Sequence, residues 1–573
     1  PVDIFVIDDT AWVGTGFKGY KLKSGELVKT LNWAGPKPGM AHHRCYRNKA
    51  SERLIFTGRS GVEVVDLEEG WQTNNSWIRG TCQYGIMPCN GLLYAPPDAC
   101  ACFGKVKIAG FFAAAPKTSD DQFILPDDLP LERGPAYGQV AKKVKVRNTG
   151  DWPMYRHDGA RSGSTDADVP DAPKKKWSVS IGGRLTQPVI ADSRVIIAAT
   201  DTHTVHALDE SDGSPLWTFT TGGRIDSTPT IYGDAVLFGS ADGWVYCLRA
   251  ADGQLAWRLR VAPREQLACA YGQLESVWPV HGSVLIQNDT LYVTAGRSTY
   301  LDGGIALYRV DPATGEKLSR TVVYNLDPET GAQRASEGGF DMEGVASDIL
   351  VGDGESVFLK HLHFDASGKQ SAERKPHLLA VTGLLGEEWF VRSYWLIGTT
   401  TESGWGKWAN AANKVPFGRI LSFDDDLIYG YGRQKIAGGA AGHTNDAYAL
   451  FCKEKVMAAT DPGTKATPAA IHWSDTQSLT VRAMVLADDN LVLIGPPDKG
   501  VKEQEILAFK NEPEALAAFK GEQGIFLRVV GAKDGTQKSE AKLDAMPVFD
   551  GLSAAGGKLF ISLKDGTVQC WGE

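Results

Sequence analysis

The chain has 573 residues, 43% of them hydrophobic and 23% charged, and carries a formal net charge of -9. An acidic balance of this kind argues against nucleic acid as a partner, which needs a basic surface, and no apolar run is long enough for a membrane-spanning helix. Sixty-four glycines and twenty-eight prolines fit a turn-dense all-β chain, and a length beyond one ordinary domain is accommodated if each added unit extends one array of repeats.

The N-terminal stretch contains short apolar runs bounded by turn residues, TAWVGTG, RLIFTGR and LLYAPP, which predict strands. Between them lies His42-His43-Arg44-Cys45-Tyr46-Arg47-Asn48, a concentration of donors and titratable groups. On an extended strand His42, Arg44 and Tyr46 share one face and His43, Cys45 and Arg47 the other. A histidine near neutrality removes protons, and a tyrosine beside an arginine does so when its phenolate is stabilised. Bonding between turns is the competing structural role. Five of the nine cysteines, Cys45, Cys82, Cys89, Cys100 and Cys102, crowd into the same region. Their clustering predicts one or two disulfides in an oxidising compartment, and their spacing departs from the paired Cys-x2-Cys pattern of tetrahedral zinc. The start at Pro1, without a leader, reads as a processed or trimmed product, with secretion or a periplasmic location as the expectation.

From Pro116 to Trp177 the strand cadence fails in a segment rich in Pro, Asp and Lys, predicted to lie across one face of the array. The cadence then returns as an echo of about forty residues. ALDESDGSPLW ends at Trp217 and CLRAADGQLAW at Trp257, and YRVDPATGEKL repeats the idea without the tryptophan. The runs VIIAA, AVLFG and LYVTA each precede a second strand and are predicted as inner strands. SVFLKH, LIYGYG, LVLIGP and KLFISL continue the pattern. A period built of apolar strands and Asp-Gly turns predicts an all-β fold, a large β-propeller of four-stranded antiparallel blades, in which ten units are counted and eight blades favoured. The division expected is 1–116 for the first blades, 117–177 for a connecting insertion on the ring, and 178–573 for the remaining blades. The final unit has room for three strands, so VDIFVID at the N-terminus is expected to complete it. Two further interruptions occur, at Val261 to Pro279 and at KEQEILAFKNEPEALAAFKGEQ, the latter read as a short helix on a blade edge.

Function in such a ring is sought where blades converge. Arg79, His157, His281, Arg297 and Arg392 stand at strand ends and loops that tend to line one mouth, where arginine suits carboxylate or sulfate and Trp395 suits stacking on a sugar. His361 and His363 alternate to one face, leaving a divalent metal open without a third ligand in view.

The segment DWPMYRHDGARSG, from Asp151 to Gly163, followed by blades ending in DG-x3-W, resembles the quinoprotein-like family of pyrroloquinoline quinone repeats. HHRCYRNKA, ESVWPVHGSVL and AGRSTYLDGG also resemble segments of its large exported planctomycete-type members. The resemblance implies that Trp217 and Trp257 stack between neighbouring blades and bond through their indole N–H. It does not imply the quinone, because the same repeats build scaffolds as well as dehydrogenases. Quinoprotein alcohol dehydrogenases carry an adjacent Cys-Cys pair, and Cys100 and Cys102 are separated by Ala101, so the quinone is disfavoured. By analogy with propellers of other families, the leading expectation is an exported polysaccharide lyase acting on an anionic, uronate-containing glycan. In it His42 or His43 is the base, Tyr46 the acid, and Arg44, Arg79 or Arg392 the carboxylate clamp. A non-catalytic glycan- or protein-binding scaffold is the alternative, and a quinone-dependent dehydrogenase the third.

Overall fold

Apolar strands joined by Asp-Gly and Asn turns fold into antiparallel sheets. The computed structural model describes them over residues 3–13, 17–31, 47–58, 61–82, 84–97, 102–108, 110–116, 126–140, 150–327, 329–333, 341–386, 394–402, 408–433, 448–475, 478–499, 501–503, 506–508 and 511–573. Among these, eight sheets succeed one another from Val189 to Gly572 as the blades of one ring. Their innermost strands, beginning with Val189–Ala191, Thr230–Tyr232, Leu285–Gln287 and Val351–Gly352, lie against one another in chain order. The runs expected as inner strands are therefore second strands: VIIAA falls in Arg194–Ala199, which pairs outward from Val189–Ala191. The innermost strands are too short and too mixed in composition to announce themselves.

Four of the blades dock their outer strand onto the next blade by one recurring device. Trp217 donates its indole N–H to the carbonyl of Ala250 at 2.9 Å and Trp257 to that of Pro312 at 3.1 Å, as the repeats implied. Trp177 and Trp473 do the same to Glu210 and Ala532. In every case the acceptor lies three residues before a turn glycine whose face the indole covers. A Cβ on Gly253 would meet Trp217 at 2.5 Å and one on Gly315 would meet Trp257 at 2.6 Å, and both glycines have positive φ. Only glycine satisfies backbone and neighbour together.

The ring closes through a different strand from the one expected. Lys174–Ser180 pairs antiparallel with Thr567–Gly572 as the outer strand of the eighth blade, whereas Phe5–Ile7 pairs with Thr10–Val13 inside its own sheet. The physical reason is the tryptophan: KKKWSVS brings Trp177 to the position from which it docks on the first blade, and VDIFVID has none. Gln187, leading into the first blade, donates to the carbonyls of Asp550 and Leu552 in the eighth, both at 2.9 Å.

Three further sheets precede the ring, within Phe5–Lys29, Lys49–Asn75 and Met87–Ala114. Trp12 and Leu31 of the first pack on Ile55 and Val65 of the second, and Phe56 and Val62 of the second on Ile86 and Ala95 of the third. Cys102, Phe103 and Val106 then pack on Tyr300 and Met342 beside the third blade, and Lys105 pairs with Asp341 at 2.8 Å. No disulfide forms among the described residues. Cys89 is an exposed thiol on Met87–Cys89 and Cys102 is buried, whereas Cys45 and Cys100 lie outside the described residues. Cys247 is buried completely, and burial pushes its thiol pKa up.

Candidate functional site at the mouth of the ring

Two described stretches of the interval before the first blade enter the ring itself. Leu131–Arg133 adds an outer strand to the second blade, and residues 150–165 run through the centre of the ring. Buried backbone amides need partners, and the innermost strands supply them. Trp152 exchanges both backbone bonds with Ile190, the carbonyl of Pro153 accepts from Ile231, that of Gly159 from Gly352, and that of Gly163 from Leu486. Arg156 and Arg161 are fully buried. Arg156 binds Asp550 at 2.6 Å and the carbonyl of Leu421, while Arg161 binds the carbonyl of Leu350 at 3.0 Å. Burial pushes Asp550 up despite the pull of Arg156, and pushes Arg161 down to about 10. The axis is thus filled by a cross-brace.

Beside it, the loops leading into the innermost strands of blades two, three and four converge. Asp226, His281 and Ser347 each stand four residues before the first residue of such a strand, Thr230, Leu285 and Val351. Rotational repetition carries these equivalent positions into contact. His281 Nδ1 lies 2.7 Å from Asp226 Oδ2 and Nε2 lies 2.8 Å from Ser347 Oγ. Asp226 Oδ1 accepts from the Gly282 N–H at 2.9 Å and from the Ser227 hydroxyl at 2.8 Å, so the carboxylate is fixed from three sides. Burial alone would raise Asp226 and lower His281, but their mutual attraction outweighs it: Asp226 is held far below the ordinary carboxylate range, with Arg224 adding to the effect, and His281 is raised. Both side chains keep a partial opening to solvent, 21% for His281 and 17% for Asp226.

A second layer supports this line. Glu275, fully buried, pairs with Arg224 at 2.7 Å and with Arg297 at 2.9 Å, and the Ser347 N–H donates to the Arg297 carbonyl at 2.9 Å. Arg224 also stacks 4.0 Å from the Tyr271 ring centroid, at the tip of the hairpin Leu267–Ala270 and Gln273–Ser276 that replaces the second interruption. Beneath His281, next to Asp348 and Ser283, a cavity has room for about one water molecule. Burial raises Asp348 and lowers its neighbour Lys360, each partly offset by the other.

Of the residues singled out in the sequence, the structure brings His281 and Arg297 to this mouth. Trp395 is not available to a sugar: it is fully buried, its face taken by the Arg156 guanidinium at 4.7 Å and its edge by Phe549. Arg79 is 1% exposed and does not face the mouth solvent. His157 belongs to the central brace, its ring 5.1 Å from that of Trp152. His363 is bonded through Nδ1 to the Glu373 carbonyl and stacks on Phe358, which accounts for it without a metal. His42, His43, Arg44, Tyr46 and Arg392 lie outside the described residues. Asp226 and Ser347 escaped notice, since each reads as a turn residue until its blade is counted.

Eight sheets set in one ring define a β-propeller. Residues 167–336 match the family model described as "Outer membrane protein assembly factor BamB". The outer membrane protein assembly factor BamB of Salmonella typhimurium is 30% identical over 106 residues, covering 16% of this chain and 27% of the relative, and that of Escherichia coli is 31% identical with the same coverage. The chain thus spans about a quarter of the length of the curated relatives it matches. Among solved structures it is similar to quinohemoprotein alcohol dehydrogenase from Comamonas testosteroni, with 14% identity, a TM-score of 0.43, and coverage of 76% of this chain and 81% of that one. BamB from Moraxella catarrhalis gives 12%, 0.30, 72% and 97%. The cavity beside His281 is of water size, and among the described residues no three His, Cys, Asp or Glu side chains converge on a metal position.

Proposed function

We propose that the molecule is an exported carbohydrate-active propeller that cleaves a uronate-containing polysaccharide by β-elimination at its mouth, with His281 removing the C5 proton. The observation that carries this reading is the hydrogen bond from His281 to Asp226, which orients an imidazole at a partly open rim. Asp226 holds the ring in place and stabilises the imidazolium formed when the proton arrives. Arg297 remains 27% exposed beyond its pair with Glu275 and presents further N–H donors to the uronate carboxylate, whose neutralisation acidifies the C5 proton. This relocates the base to the described mouth from the His42 to Tyr46 cluster. Export accords with a match to relatives named for outer-membrane assembly.

The test is the ultraviolet absorbance of the unsaturated product during incubation with a panel of uronate polysaccharides. The expected result is a rise that His281→Ala abolishes. A second reading, a binding scaffold, is favoured by the filled axis, which ties the blades into a rigid platform. It predicts retention on an acidic-glycan column with no absorbance change, in wild type and His281→Ala alike.

A further inference from the structure

We propose that Ser347 is a nucleophile and that Ser347, His281 and Asp226 form an acyl-transfer site that hydrolyses carboxylic esters, the substrate class being acyl groups carried on a glycan. The proposal rests on the reading that the mouth is catalytic on carbohydrate, but it needs a different bond to break. It stands on geometry. The two distances, 2.8 Å from Ser347 Oγ to His281 Nε2 and 2.7 Å from His281 Nδ1 to Asp226 Oδ2, run through opposite nitrogens of one ring, so a single neutral tautomer serves both bonds. In that tautomer the Ser347 hydroxyl donates to Nε2 and Nδ1–H donates to the carboxylate. This is the nucleophile, base and orienting group required for serine-based acyl transfer, recognised by geometry and not by chain order.

The surroundings suit the three roles. Asp226 is fixed by the Gly282 N–H and the Ser227 hydroxyl, leaving Oδ2 for the imidazole. Ser347 is partly exposed, and its main chain is pinned by the bond to the Arg297 carbonyl. The groups facing the imidazole are Asp226, Asp348 and Arg224, from the second and fourth blades. A polar staple between blades would need the hydrogen bonds only. The partial exposure of all three side chains at a mouth is what a reacting site adds.

The steps balance with water as the only co-reactant. Ser347 Oγ forms a bond to the ester carbonyl carbon as its proton passes to His281 Nε2. The bond from that carbon to the alkoxy oxygen breaks, and the alcohol leaves with the proton. Water then adds to the acyl-serine, giving its proton to Nε2; the acyl–Oγ bond breaks, Oγ recovers the proton, and the carboxylic acid departs. Nothing is oxidised or reduced.

The experiment uses the full chain, treated with a fluorophosphonate probe and analysed by intact mass and peptide mapping, together with initial rates on p-nitrophenyl acetate. One adduct on Ser347 is expected, absent in Ser347→Ala and in His281→Ala, with ester turnover lowered by at least ~10³-fold in either variant. Asp226→Asn, which preserves shape but disturbs the tautomer, is expected to slow labelling while Ser347 remains the modified residue. Absence of an adduct on folded wild-type protein, or an adduct elsewhere that survives His281→Ala, overturns the proposal and leaves the three residues as a staple between blades. Circular dichroism of each variant separates loss of chemistry from loss of fold. The two functional readings fail separately. A substrate-absorbance rise without labelling sinks the nucleophile and keeps the lyase, and labelling without that rise does the reverse.

Discussion

Asp226 and His281 are each stabilised in the charged form by the other, and this gives their contact a definite pH signature. His281 is raised above its unfolded value of about 6.5, so its contribution to stability is fully present below that pH and is lost as the pH rises through the folded pKa. Asp226 is depressed below about 3.9, so its share is present above that value and lost as the pH falls through its lower folded pKa. Asp226→Asn is therefore expected to lower the His281 pKa, measured by NMR titration of the imidazole, and to flatten the loss of thermal stability between neutral and alkaline pH. An unchanged His281 titration would mean that the carboxylate does not govern it. Legibility at this scale was uneven. His281 was readable because VWPVHG precedes an apolar run, and Arg297 because it follows one. Asp226 in GGRIDSTPT and Ser347 in GVASDIL look like ordinary turn residues. Trp395 was misread because a tryptophan after SY carries no mark of whether its neighbour is a sugar or the buried guanidinium of Arg156.

A strand in this protein is stable because its neighbour is already in place. The tryptophan docking shows the mechanism: an indole from one blade covers a turn glycine of the next and donates to the carbonyl three residues earlier. Trp257 is fully buried, and Trp257→Ala is expected to cost about 3–5 kcal/mol, read as a lower denaturant midpoint. Gly315→Ala attacks the same joint from the other side, through a Cβ that would meet the indole and a φ of +74° that alanine resists. It too is expected to lower the midpoint, whereas the same change at Gly354, where a Cβ meets nothing, relies on φ strain alone and is expected to cost less. Equal effects at the two glycines would rule out packing on Trp257 as the difference. The helix Glu512–Phe519 falls within the segment read as a short helix, and the structure caps it with Asn511, whose side chain accepts from the Glu514 N–H, ahead of Pro513.

At the scale of the whole molecule the decisive feature is the central segment. Arg156 reaches Asp550 of the eighth blade and the Leu421 carbonyl of the sixth, and Arg161 reaches the Leu350 carbonyl at the fourth, so two side chains from one stretch hold distant parts of the ring in register. Removing one partner of a buried ion pair leaves an uncompensated charge, and Arg156→Ala is expected to destabilise the ring by about 3–5 kcal/mol. The check is its melting temperature beside that of Arg194→Ala, an arginine that donates to the nearby Asp192 carbonyl in an exposed contact. Equal melting temperatures would show that the brace does not hold the ring together.

The sequence by itself determined the class of fold: the period, the Asp-Gly turns and the tryptophans at Trp217 and Trp257 encode contacts made within one repeat or between neighbours, and such contacts leave a local trace. It counted ten units and favoured eight blades, but the N-terminal runs among those ten form sheets that precede the ring of eight. Tertiary structure alone decided which strand closes the ring, because Lys174–Ser180 and Thr567–Gly572 meet only when every intervening blade has formed. It alone decided that Asp151 to Gly163 fills the axis, and that Asp226, His281 and Ser347 lie in one line. Those residues are separated by more than fifty positions along the chain, and what joins them is the rotation between consecutive blades, a quantity that no local pattern of residues encodes.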